Sequence, residues 1–263
     1  MDLHFQDKIM LITGGERGIG AGIARAFAAE GGVPVITGRR ADLAAALVAE
    51  LQAEGRQAWF FPAELSDPQA CQQVVDAVRN SCGRLDILVN NAGINDGVSL
   101  STGTPEAFVR SVHQNLMSYF YMAHAALPML RDCRGTIVNI SSKTALTGQG
   151  GTSGYVAAKA GQLGLTREWA AELLPAGIRV NAIIPAEVQT PMYDEWLQSF
   201  EDPEARRSQI IRNIPLGRRM TRIEEIADAV LFLASDRASH ITGQFWHVDG
   251  GYVHLDRALT GLE

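Results

Sequence analysis

Short apolar runs alternate along this chain with longer stretches whose apolar residues recur at helical spacing. The runs at 8–13, 33–37, 58–62, 85–90, 135–141, 179–184 and 244–248 read as strands. Helical patterns fall between them, near 18–31, 41–54, 67–81, 105–130, 153–174 and 223–234. Such alternation implies a parallel sheet covered on both faces, and right-handed crossovers make it doubly wound. The expected fold is α/β, with about seven parallel strands and helices on both faces. No linker, compositional break or internal repeat divides the chain, so residues 1–263 form a single expected domain. Pro34 opens its strand, where a missing amide is tolerated, and Pro128 is expected to end or kink the 105–130 helix. The alternation fails from about 187 to 223, where Pro191, Pro203 and Pro215 stand among Tyr193, Trp196 and Phe200. A long irregular excursion reads as a substrate lid, the alternative being a surface segment that supports oligomer contacts.

Composition narrows the function classes. A net charge of -6 argues against a nucleic-acid surface, which would want a basic face. Three scattered cysteines make no disulfide framework, and the six histidines show no metal-ligand spacing. The first residues lack the basic and apolar regions of a signal peptide, and no apolar run reaches a membrane-spanning length. A cytoplasmic protein acting on a small molecule, with no metal, nucleic-acid or membrane partner, is the resulting expectation.

Two motifs carry chemistry. The run Thr13-Gly-Gly-Glu-Arg-Gly-Ile-Gly20 follows an apolar strand and precedes an amphipathic helix. Gly14, Gly18 and Gly20 let backbone approach a pyrophosphate, and the helix N-terminus favours its charge. Further on, Tyr155 and Lys159 lie one helical turn apart, with Ser142 thirteen residues before the tyrosine. A phenol near a lysine ammonium becomes a better base, and a serine hydroxyl beside it holds a substrate oxygen. That combination suits removal of a proton from an alcohol.

The order of these motifs, with Asn90-Asn-Ala-Gly93, Asn115, Asn139-Ile-Ser-Ser142 and Arg179-Val-Asn-Ala182 leading to Pro185, resembles the short-chain dehydrogenase/reductase family over nearly the whole chain. The resemblance implies a Rossmann-type nicotinamide dinucleotide enzyme. It makes Tyr155 the acid/base and gives Lys159 the lowering of its pKa and the nicotinamide ribose. Ser142 would hold the reacting oxygen, and Asn115 would anchor a relay water. It places the cofactor along Gly14, Arg17, Gly18, Ile19, Gly20, Arg39, Glu64, Asn91, Ala92, Gly93, Pro185 and Thr190, besides Tyr155 and Lys159. Tetramers are usual in this family, so a homotetramer is expected, with the 105–130 and 153–174 helices at one interface and the tail at another. His254 to Arg257 would then reach towards a neighbouring site.

The second strand ends in Gly38-Arg39-Arg40, with no acid where a ribose 2′-hydroxyl would be met. Arg39, with Arg17, therefore favours NADP over NAD, while Glu16 between the glycines weighs slightly the other way. Asn95, Lys143, Gln149 and Glu187, with Ser142, offer donors and acceptors around the expected mouth. Stretches at 139–150, 184–191, 200–204 and 248–257 resemble the L-fucose dehydrogenase branch of the family. That branch oxidises the anomeric carbon of the sugar to a lactone. A carbonyl reductase for acyl or cyclic ketone substrates, and a non-catalytic dinucleotide-binding regulator, remain the alternatives.

Overall fold

The computed structural model describes residues 2–255. Its sheet is built from β1 (Ile9–Thr13), β2 (Val33–Gly38), β3 (Trp59–Pro62), β4 (Ile87–Asn90), β5 (Thr136–Ile140), β6 (Arg179–Pro185) and β7 (Phe245–Val248). All seven pair in parallel, in the order β3-β2-β1-β4-β5-β6-β7. Each expected strand is present, within one or two residues at its ends.

Alternation along β1 shows why the chain folds into layers. Met10 and Ile12 pack into a core with Ile23, Phe27, Leu47, Leu51, Ile226 and Val230. Ile9 and Leu11 point the other way, into a core with Val74, Val78, Tyr119, Met122, Leu130 and Trp169. Helices α1 (Gly18–Ala29), α2 (Ala41–Ala53) and α9 (Ile223–Ala234) therefore cover one face, and α3 (Pro68–Cys82), α5 (Ser118–Cys133) and α6 (Ser153–Glu172) the other. Burying each large apolar side chain contributes about 1.5–3 kcal/mol.

Two expectations are corrected. The 105–130 helix is split by a turn of π-helix at His113–Met117, between α4 (Pro105–Val112) and α5. The break is not at Pro128, which lies inside α5. Pro128 and His124, four residues earlier, are both on the exposed face of α5, where a carbonyl that loses its helical donor meets water. The excursion after β6 is also more regular than expected, holding α7 (Pro191–Leu197) and α8 (Pro203–Ile211). Pro191 and Pro203 sit at helix starts, where an amide is not needed, and Thr190 and Asp202 cap those starts through their side chains.

The chain winds outward through β2 and β3 and then crosses β1 to build β4 to β7. That reversal, between β1 and β4, is where such a sheet places a crevice at the carboxyl ends of its strands. No described helix is long and apolar enough to cross a membrane.

Candidate active site

The crevice opens into a cleft of about 1220 Å³, lined from the loops after β1, β2, β3, β4, β5 and β6 and from α7 and α8. Pockets for drug-sized ligands are about 300–1,000 Å³, so this larger volume admits a dinucleotide together with a small substrate. Every expected site residue except Gly20 and Asn115 lines it. These two lie just behind the wall.

The glycine turn forms one end. Gly14 and Gly18 have positive φ, at 61° and 54°, a conformation that suits glycine. A Cβ on Gly14 would stand 3.0 Å from the Ala92 backbone, and one on Gly20 would stand 2.8 Å from Gly15 Cα. Asn91 fastens this turn to the end of β4: its Nδ2 donates to the Thr13 and Gly14 carbonyls at 2.9 and 3.0 Å. Thr13 Oγ1 accepts from the Asn91 and Ala92 amides at 2.9 and 3.0 Å. The first turn of α1 has no side-chain cap and no acid, so its amides suit an anionic ligand. A Cβ on Gly18 would stand 3.6 Å from the Thr190 methyl, so the start of α7 comes to the same place. These residues fit the diphosphate of a dinucleotide.

At the other end lies the predicted tetrad. Asn115, Lys159 and Gly93 meet there: a Cβ on Gly93 would be 3.1 Å from Asn115 Oδ1 and 3.5 Å from Lys159 Nζ. Asn115 is fully buried in the π turn; its Oδ1 accepts from the Ile94 amide at 2.8 Å and its Nδ2 donates to the Ser111 carbonyl at 3.0 Å. Its own carbonyl accepts from Gln162 Nε2 at 2.7 Å. Asn115 therefore fixes the loop after β4, and one lone pair of its carbonyl is already used. Ser142 Oγ, at the end of β5, accepts from the Thr144 amide and hydroxyl at 3.2 and 3.0 Å.

Lys159, expected to lower the pKa of Tyr155, is held by two acceptors of its own. Its Nζ donates to the Ile140 carbonyl at 2.7 Å and the Tyr119 hydroxyl at 3.3 Å, and lies 5.6 Å from the Tyr155 ring centre. Burial pushes the Tyr155 phenol up to about 12; a hydrogen bond with Ser142 opposes this, and the Glu187 carboxylate adds to it. Burial likewise pushes Lys159 down to about 7. Desolvation disfavours both charged forms. Tyr119 and Gln162 were not singled out from the sequence. Tyr119 follows Asn115 by four residues, a spacing that could have flagged it.

The polar cluster beside the tetrad centres on Lys143 and Glu187. They form an ion pair between β5 and β6 with side-chain exposures of only 8% and 14%. The other Glu187 oxygen accepts from the Tyr193 hydroxyl at 2.6 Å, and Lys143 stands 3.9 Å over the Tyr252 ring. Burial and the adjacent carboxylate push the Tyr193 phenol up. Asn95 and Gln149 are exposed at the cleft rim, where Asn95 Oδ1 accepts from Gly97 at 3.3 Å. Glu64 accepts from the Ser66 amide and hydroxyl at 3.2 and 2.8 Å beside Arg39. The described residues hold no group of three or more His, Cys, Asp or Glu that could bind a metal ion.

Comparison with known proteins agrees with this geometry. Residues 14–253 match a family model described as enoyl-(acyl carrier protein) reductase. The chain is 35% identical over 252 residues to 3-oxoacyl-[acyl-carrier-protein] reductase FabG of Thermotoga maritima, covering 95% of this chain and 100% of that protein. Among solved structures, Cj0485 dehydrogenase is 44% identical with a TM-score of 0.93, over 98% of this chain and 99% of the other. Aldohexose dehydrogenase of Thermoplasma acidophilum is 29% identical with a TM-score of 0.88, over 97% and 98%. The fold, the matched span and these relatives together make the chain an oxidoreductase of the short-chain dehydrogenase/reductase family.

Proposed function

We propose that the enzyme oxidises the anomeric hydroxyl of a sugar, L-fucose or a related aldose, to the lactone. The Lys143–Glu187 pair carries this reading, because it sets a largely buried, doubly held carboxylate beside Ser142 and Tyr155. Each Glu187 oxygen spends one lone pair on Lys143 or Tyr193 and keeps another for a sugar hydroxyl. A pocket for acyl chains or steroids would be mostly apolar here. The aldohexose dehydrogenase likeness, and the resemblance of the stretches at 139–150, 184–191, 200–204 and 248–257 to the L-fucose branch, support the reading.

In this mechanism Ser142 and Tyr155 hold the C1 hydroxyl, and Tyr155 takes its proton as C1 passes from hemiacetal to lactone. The nicotinamide, when bound, supplies the hydride acceptor. Lys159 and Tyr119 link the site to the Ile140 carbonyl, and Asn115 holds the loop that carries Gly93 and Ile94. Gly14, Gly18, Gly20 and Asn91 shape the diphosphate seat, with Ile19, Ala92, Pro185 and Thr190 around the nicotinamide half. The segment 187–223 acts as the substrate lid, through Tyr193, Trp196 and Arg206 on the cleft wall. A homotetramer would bury the exposed Phe108, Val109 and Phe120 of α4 and α5. In the tail, Asp256 and Arg257 lie outside the described residues.

A preference for NADP rests on Arg17 and Arg39. Arg39 faces Glu64 at 3.4 Å and Arg17 faces Glu195 at 3.8 Å, both at the surface. Such exposed pairs are weak, so the arginines alone do not decide the cofactor.

The likeness to the 3-oxoacyl-[acyl-carrier-protein] reductase and to levodione reductase, the latter 33% identical with a TM-score of 0.92, favours a second reading, carbonyl reduction. Initial rates at the nicotinamide band separate the two. L-Fucose oxidation should exceed reduction of a 3-oxoacyl thioester or a cyclic diketone in kcat/KM by at least about tenfold, and the reverse order would replace the sugar by a ketone.

A pH profile provides a further check. The Glu187 charge raises the Tyr155 pKa, so its removal lowers that pKa and makes the basic form available at lower pH. In Glu187→Gln the acidic limb of kcat should move to lower pH while KM for the sugar rises. An acidic limb that stays in place would separate Glu187 from the proton transfer.

A further inference from the structure

Tyr193, Trp196 and Phe200 follow one another at spacings of three and four, which gathers their rings along one side of α7 and the turn after it. The rings meet edge to face, with Trp196 5.2 Å from Tyr193 and 4.8 Å from Phe200. The Arg206 guanidinium stands 5.7 Å from the indole centre. The next residue, Leu197, is buried in a small core with Ile214 and Met220, which anchors the helix. Trp196 is thus firmly held, yet it lines the cleft and is 42% exposed. Apolar surface left open inside a cleft is stabilised when a ligand covers it.

Tyr193 ties this ring to the polar cluster. Its hydroxyl donates to Glu187 at 2.6 Å while its ring meets Trp196. One phenol therefore fixes a hydroxyl acceptor and an apolar surface relative to each other. Such a pair suits a ligand with hydroxyls on one side and C–H groups on the other. A pyranose with an axial C4 hydroxyl, as in L-fucose, has that shape. Its C–H groups at C3, C4 and C5 share the face opposite the axial oxygen. We propose that Trp196 is the platform for this C–H face of the sugar, and so selects an axial hydroxyl at C4. The proposal rests on the sugar reading of the cleft and names the residue that sets the configuration it accepts. In the C4 epimer the hydroxyl is equatorial and the C4 hydrogen lies on the other face, which breaks the apolar patch.

Initial rates with L-fucose and with its C4 epimer, 6-deoxy-L-glucose, test this in the full-length enzyme with oxidised dinucleotide. Wild type should favour L-fucose in kcat/KM. Trp196→Leu keeps an apolar side chain but removes the flat ring, and should lower that preference about tenfold, mainly through KM for L-fucose. Trp196→Phe keeps a ring face and should restore most of it. An unchanged preference in folded Trp196→Leu, or a wild type that treats the two epimers alike, would overturn the proposal. Saturation-transfer NMR on wild type with reduced dinucleotide and L-fucose reads the contact without any variant. Irradiating protein aromatic protons should saturate H3, H4 and H5 of the sugar above H2, and even saturation around the ring would overturn the proposal. A wild type that oxidises neither sugar would instead overturn the sugar reading beneath it.

Discussion

Tyr155→Phe should lose turnover by a factor of about 10³ or more while its affinity for the dinucleotide stays within about twofold. The change deletes one oxygen and leaves the ring that packs beside Lys159. A positioned acid or base contributes about 10²–10⁴ to rate, and the two polar groups nearest in role are already engaged. Lys159 already donates to the Ile140 carbonyl and the Tyr119 hydroxyl, and the Ser142 hydroxyl is engaged by Thr144. Because burial holds the Tyr155 phenol near 12, wild-type oxidation should rise with pH well beyond neutrality, as the phenolate becomes populated. Steady-state rates with and without the hydroxyl, beside calorimetric Kd values, separate chemistry from binding. A variant that keeps near wild-type kcat would remove Tyr155 from the mechanism.

Lys143→Met should be the most destabilising change in the site. It leaves the Glu187 carboxyl largely buried without its cation, held by Tyr193. Removing one member of a buried pair costs about 3–5 kcal/mol. For a protein of this size that corresponds to a fall in Tm of about 10 °C. The paired change Lys143→Met with Glu187→Leu removes both charges and should recover most of that stability, since an apolar pair of similar volume is often neutral. It should not recover sugar oxidation, because no acceptor remains for the hydroxyls. This split distinguishes a site built for a polar substrate from an ion pair that serves the fold alone. Thermal unfolding and kcat/KM on the same three proteins decide it: equal stability losses in the single and paired variants would contradict the buried-pair account.

The sheet was legible because both faces of every central strand are buried, so the strands stand out as short apolar runs. Met10 and Leu11 face opposite cores and are equally inaccessible. The tetrad was legible through order and spacing, which place Ser142 at a strand end and Tyr155 and Lys159 on one helix. Other features depended on contacts between distant residues. Nothing local marks the π turn at 113–117, whose Asn115 carbonyl meets Gln162 on another helix. The prolines at 191 and 203 read as breakers, but each follows a capping Thr190 or Asp202 and opens a helix. Glu187 was visible as an acid after β6, whereas its pairing with Lys143 needed β5 and β6 side by side. Gly38 read as an absent acid, and only packing shows that the Glu16 side chain lies against it. The surroundings of Tyr155 depended on packing as well: spacing puts Lys159 nearby, and the fold buries both groups and sets the Lys159 ammonium against the Ile140 carbonyl.

The most direct test uses L-fucose labelled with carbon-13 at C1, incubated with the enzyme and oxidised dinucleotide and followed by NMR. The account predicts that the anomeric signals give way to a lactone carbonyl at the labelled carbon, followed by the carboxylate of its hydrolysis product. An unchanged anomeric label, with no sugar consumed or with oxidation at another carbon, would contradict it.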